Sequence, residues 1–157
     1  MKSLITQERV VALAFGDGEF LSPEAICEAD IAIAESRYLR PVVGDALWGA
    51  LLEGKYPSLV EEYVAPALAM AVRTLIQPAL NVRTGQCGLS IAATYRSDSA
   101  TKSATESLLR SLVKRRKALF QRLSGHLKTN AAEYVEYDVS RDALQKCSIY
   151  GGIVQIH

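Results

Sequence analysis

Residues 63–80, YVAPALAMAVRTLIQPAL, constrain the fold of this chain more than any other stretch. Wound at about 100° per residue, the segment is apolar nearly all round, apart from a narrow strip holding Glu62, Arg73 and Gln77. Such a helix has no face for water, so other elements must wrap it. Pro66, Arg73 and Pro78 interrupt it. A membrane span needs about 20 mostly apolar residues, so the segment reads as the central helix of a soluble core. The prolines predict bends or breaks, since each removes a backbone donor.

The elements that wrap it are also predicted as helices. Thr6 caps a first helix to about Phe15, and the glycines of Gly16-Asp17-Gly18 end it. Ser22-Pro23-Glu24 opens a second helix, with Ser22 as cap and Pro23 at the first helical position. It runs to about Tyr38, where Pro41 blocks continuation. This helix carries two apolar faces: Ile26, Ala29 and Ile33 on one, Cys27, Ile31, Ala34 and Tyr38 on the other. Either it is sandwiched inside the fold, or one face serves the core and the other a second subunit. Residues 42–54 form a short third helix closed by Gly54, and Ser58 with Glu61 forms a capping box before the central helix. Asn81 to Gly88 reads as a loop and 89–95, LSIAATY, as a short strand. A last helix of roughly 30 residues, about 45 Å long, extends to about Lys128. One further helical turn is expected over residues 141–146.

The chain closes on CSIYGGIVQIH, in which Ile153, Val154 and Ile156 read as a strand. An unpaired strand edge is an aggregation hazard. Residues 153–157 therefore either fold back on 89–95 or act as an exchange arm into a neighbour. The expected fold class is mainly α, one domain over residues 1–157: a helical bundle around a buried central helix, one long amphipathic helix, and minor β from 89–95 and the C-terminal strand.

With 49% hydrophobic residues, 22% charged residues and a net charge of +1, no global field directs the chain to nucleic acid or membrane. Cys27, Cys87 and Cys147 are odd in number and widely spaced, which predicts free thiols in a reducing compartment. His126 and His157 belong to no ligand-spaced cluster, and neither glycine-rich stretch has the strand–loop–helix setting of a phosphate cradle. No metal, cofactor or catalytic constellation is expected, and the chain is not read as an enzyme.

The most charged run, VKRRKALFQR, lies on the long helix. Arg110, Lys114, Lys117 and Lys128 gather opposite Leu108, Leu109, Leu112, Leu119, Phe120, Leu123 and Leu127. That basic side is either a solvated face or a surface for DNA or an acidic partner. Arg116 falls in the middle of the apolar arc. There it must snorkel to the rim or meet a carboxylate, in its own chain or a neighbour's.

Taken in order, LITQERVVALAF, LSPEAICEADIAIAESRYLRPVVGDAL, YPSLVEEYVAPALAMAV, QPALNVRTGQCG and CSIYGGIVQIH resemble the head–tail connector (adaptor) proteins of tailed bacteriophages, especially those of Bacteroides-type prophages. The resemblance implies a structural subunit that assembles as a ring with its own copies. It would sit at the virion neck, bind portal and tail-completion proteins, and pass DNA through its centre. Assembly would occur in the host cytoplasm, with no cofactor and no membrane. Candidate interface residues are Arg116, Ile31, Tyr38, Ile153, Val154 and Ile156; Arg110, Lys114, Lys117 and Lys128 would face DNA or an acidic partner. The alternative is a small helical DNA-binding regulator using the basic face of the long helix.

Overall fold

A computed structural model describes residues 3–16, 19, 21–80, 82–85, 88–91, 98–145, 147–150 and 153–156, the strands by their backbone alone. The chain is mainly α. Helix α1 (Gln7–Ala14) starts at Thr6, whose side chain accepts from the Arg9 N–H at 3.3 Å. It turns Val10 and Ala14 inward. The predicted second helix is divided. Pro23–Ala25 is a single 3-10 turn, and Ser22 makes no side-chain cap. Helix α2 (Glu28–Ala34) begins only at Cys27, whose N–H donates to Asp30 Oδ2 at 3.2 Å.

Pro41 does not stop the chain. A π turn (Glu35–Leu39) passes directly into α3 (Arg40–Leu52), with Pro41 near its start. A second π turn (Val60–Val64) joins the short α4 (Pro57–Leu59) to α5 (Ala65–Leu80), again two residues before a proline, Pro66. Proline has no N–H to donate, and its ring crowds the carbonyl four residues back. Widening the ladder just upstream gives that ring room without ending the helix. The true break in α3 is Gly44, at φ 77° and ψ 165°, a conformation that favours glycine. Gly54, at φ 88°, closes the helix.

The Ser58–Glu61 capping box does not form. Tyr56 stands in the left-handed region at φ 56° before Pro57, and Glu61 pairs instead with Arg9. A left-handed tyrosine is strained. Its hydroxyl donates to Glu136 Oε2 at 2.8 Å, which ties the turn down.

Helix α5 buries Ala67, Leu68, Met70, Val72 and Ile76 and packs on α1, α2 and the long helix α6 (Asp98–Thr129, 32 residues). Pro78 lies within its last turn rather than breaking it. Each fully buried large apolar side chain contributes about 1.5–3 kcal/mol, so this interlock is the main source of stability. Helix α6 spans about 48 Å, but only its C-terminal part is covered. Leu112, Phe120, Leu123 and Leu127 are buried, whereas Leu108 is 38% exposed. The expected apolar face therefore runs beyond the body that covers it.

The backbone pairs in two separate antiparallel ladders: β1 (Val82–Gly85) with β2 (Gly88–Ile91), and β3 (Cys147–Tyr150) with β4 (Ile153–Ile156). The residues expected to loop before 89–95 thus hold β1. The closing strand's mate is β3, immediately upstream, and not the 89–95 segment: Ile153, Val154 and Ile156 stand opposite Tyr150, Ile149 and Cys147. Residues 92–97, Cys87 and His157 lie outside the described residues. Within the stretch expected to turn, the Gln145 N–H closes on the Asp142 carbonyl at 3.1 Å, after a separate 3-10 turn at Val139–Arg141; Lys146 lies outside the described residues.

A buried polar knot fastens the segment after α6. Asp142, fully buried, accepts from Ser124 Oγ at 2.5 Å, Tyr137 OH at 2.7 Å and the Leu144 N–H at 2.8 Å. Burial, and then the Asp142 carboxylate, push the Tyr137 hydroxyl far above its ordinary pKa.

Candidate functional site

Besides the Asp142 knot, the described residues gather polar chemistry at Arg73, at Glu35, at His126 and in a groove that opens to solvent. The first is an ion pair whose cation is buried and whose carboxylate reaches water. Arg73 on α5 is 5% exposed, and its guanidinium clasps Glu19 through two nitrogens, Nη1 reaching Oε2 at 2.8 Å. It also donates to the Ala14 carbonyl and lies over the Phe15 ring at 4.4 Å. Arg73, and then the Gly16 N–H, hold the Glu19 carboxyl below its usual range. Arg73 is thus the buried guanidinium with a carboxylate, the arrangement foreseen as one outcome for Arg116.

The second is Glu35, buried at the π turn. It accepts from the Leu4 N–H at 2.8 Å. Desolvation raises its pKa, opposed by the Leu4 N–H and by the Trp48 indole N–H, which closes no hydrogen bond of full geometry. The third is His126, which stacks on Tyr63 at 4.0 Å. The Asn130 amide donates to its Nδ1 at 3.1 Å, so Nε2 carries the proton toward Tyr134 OH at 3.0 Å. Both ring nitrogens are engaged in fastening α6 to the following turn, so His126 acts structurally.

The fourth is a groove of about 510 Å³ between the α2–α3 passage and the middle of α6. Tyr38, Val42, Phe120 and Leu144 form its apolar floor, and Arg37, Arg116, Lys117 and Gln121 its polar rim. The Tyr38 and Phe120 rings meet at 6.4 Å. The Arg116 guanidinium lies 4.2 Å from the Tyr38 ring centre and that of Arg37 at 5.4 Å. The aromatic face supplies the partially negative surface that a carboxylate was expected to provide. Three cations converge with no acid among the lining residues. The groove therefore favours an anionic group attached to an apolar one.

The structure brings Tyr38, Arg116 and Lys117 together and leaves the other candidates elsewhere. Ile31 is 1% exposed inside the chain's own core, so it is not an interface residue. The two apolar faces are not cleanly divided: Ile31 and Ala34 are buried but Cys27 on the same face is exposed, while Ala29 and Ile33 face out, Ile33 at 49% exposure, and Ile26 on their face is buried. Arg110 pairs with Glu106 at 3.3 Å, Lys128 donates to Gln145 at 3.1 Å, and Lys114 stands exposed beside Arg110. Ile153, Val154 and Ile156 lie in the β4 ladder with β3 and are not among the residues that line the groove.

Sequence reasoning missed Arg37 and the role of Phe120 as floor, because it ended the second helix at Tyr38. A helix continued through Pro41 would have placed Arg37 and Pro41 on one side, since they are four apart. It also missed the exposed Val135, visible in the sequence as one valine among acids in AEYVEYD.

Among the described residues, no group of three or more His, Cys, Asp and Glu gathers as a metal site, and no helix is long and apolar enough to cross a membrane. Comparison with curated proteins and with solved structures finds no match. A family model described as a family of unknown function, DUF6712, matches residues 36–144. That span holds α3, α5, α6 and every residue lining the groove, and it covers more than half of the chain; the protein belongs to DUF6712.

Proposed function

We propose that the chain is a structural assembly subunit, a ring-forming head–tail connector that joins portal and tail in a tailed phage or prophage. The observation that carries this reading is the groove: an apolar floor under Arg37, Arg116 and Lys117, open to solvent, with three cations and no acid along it. The resemblance along the chain supplies the class. In this reading the body is a helical bundle organised around α5, and the β1–β2 and β3–β4 hairpins are arms projecting toward neighbours. It works at the virion neck by protein contact and performs no chemistry of its own.

Light scattering of the purified chain, alone and mixed with the portal protein of the same phage, tests the reading. Oligomers larger than a dimer, or a complex with portal, are expected. A strict monomer that ignores portal and tail-completion proteins at high concentration refutes it.

One observation favours a second reading. The uncovered first half of α6 exposes Lys102, Arg110 and Lys114 along one rod, a form that suits the phosphate backbone of DNA. A DNA-binding regulator would lose affinity and salt dependence when Arg110 and Lys114 are reversed in charge. No measurable affinity for duplex DNA at low salt eliminates it.

A further inference from the structure

Val135 is 85% exposed, more than any other large apolar residue described. Its exposure is not that of a loose tip. Tyr134 and Tyr137 on either side are each 7% exposed. Tyr134 packs edge-on against Tyr56 at 5.1 Å and meets His126, and Tyr137 is hydrogen-bonded to the buried Asp142. Glu136 is held by Tyr56 and Lys55. The turn is a rigid platform, so Val135 cannot fold itself away from water.

The platform offers one free acid, and the groove free cations. Asp138 pairs with Arg141 at 3.5 Å and Glu136 with Lys55 at 3.1 Å, while Glu133, two residues from Val135, is exposed and makes no ion pair among the described residues. Among the described residues, Arg116 and Arg37 lie against the Tyr38 ring and Lys117 has no partner. A short apolar knob beside an unpaired acid is the complement of an apolar trough rimmed by cations.

We infer that Val135 of one copy of this chain seats in the Tyr38–Phe120 groove of the next, with Glu133 against Lys117 and Arg116. The inference rests on the ring reading above and names the contact that would close the ring. Knob and groove are different patches. From Lys117 at the groove to His126 beneath the platform is nine residues of α6, about 14 Å. Contact between unlike patches is heterologous and propagates head-to-tail, closing as a ring when the rotation allows.

Complementary variants of the full chain test this. Val135→Asp spoils the knob and keeps the groove. The pair Arg116→Glu and Lys117→Glu spoils the groove and keeps the knob. Sedimentation velocity should show wild-type species beyond the dimer and each variant monomeric, with association weakened at least about tenfold. An equimolar mixture of the two should form a one-to-one heterodimer and stop there, because only one working knob and one working groove remain. A second pair uses only solvent-exposed sites, where folding is not at stake. Glu133→Lys and Lys117→Glu should each weaken assembly, and the two together should restore it. A wild type that stays monomeric, or that stops at a two-fold dimer, overturns the inference. Wild-type rings that both knob and groove variants still form also overturn it, while leaving the connector reading intact. Portal binding by a monomeric wild type likewise rejects the self-contact and keeps the connector.

Discussion

Removing Glu19 isolates the energetics of the one buried cation on α5. In Glu19→Gln the Arg73 guanidinium stays enclosed, facing the Phe15 ring and the Ala14 carbonyl without its counter-ion. Breaking a fully buried pair from one side costs about 3–5 kcal/mol. The Arg73 side chain is 6% exposed but that of Glu19 is 47% exposed, so water screens the pair and the glutamine still accepts one hydrogen bond. The expected loss is about 1–2 kcal/mol, which for a domain of this size lowers Tm by about 2–8 °C. Arg73→Met should cost less than its buried position suggests, because methionine fills part of the space and the freed Glu19 reaches water. The sign with pH is fixed. Arg73 and the Gly16 N–H depress the Glu19 pKa, so its contribution is present above the ordinary glutamate value and fades as pH falls through the lowered one. Thermal melts of wild type and Glu19→Gln should differ at neutral pH and converge in acid. Equal melting temperatures at neutral pH, or a difference that grows on acidification, would refute the argument.

Glu35 predicts the opposite pH dependence. Its pKa is raised, so the folded state favours the protonated form, and the charged form burdens the fold once pH rises above the raised value. Glu35→Gln keeps an acceptor for the Leu4 N–H and should leave the chain as stable or up to about 1 kcal/mol more stable at neutral pH, the gain vanishing in acid; chemical denaturation at several pH values reads it, and a large loss at neutral pH sinks it. Tyr137→Phe removes a donor from the buried Asp142 and should cost about 1–3 kcal/mol, seen as a lower denaturation midpoint. An unchanged midpoint would mean that water reaches the knot.

The helical content of this chain was legible because periodicity records burial directly. Residues 65–80 of the apolar segment form the helix α5, which buries Ala67, Leu68, Met70 and Val72, and Thr6 and Gly54 punctuate helices where their chemistry says they should. Proline accounts for part of the difference. Pro41 reads as a helix stop and Pro66 and Pro78 as bends or breaks, but a proline stops only a ladder that demands its missing N–H. The π turns ending at Leu39 and Val64 let the helix pass two of them, and Pro78 sits where the helix is about to end. Local propensity cannot show that solution, because tertiary packing stabilises the wider turn. Ser22 and Ser58 fail as side-chain caps because the helices start elsewhere, five residues later at Cys27 with Asp30 and two residues earlier at the left-handed Tyr56.

The same continuity explains why the groove was only half visible. Helical angles on α6 correctly singled out Arg116 as a charge on an apolar arc, and the rule that a desolvated cation needs a partner was sound. What satisfied it was Tyr38, delivered by a helix that the sequence appeared to end at that residue. Had Pro41 terminated the chain's run, Arg37 and Tyr38 would lie at a frayed end. Carried through the π turn into α3, they are held in a continuous helix, and the Ala143 N–H bonds the Pro41 carbonyl at 2.9 Å from the opposite wall. The device that accommodates the proline therefore also builds the groove. A rigid groove rimmed by Arg37, Arg116 and Lys117 loses less conformational entropy on receiving a partner than one whose cations must first be gathered.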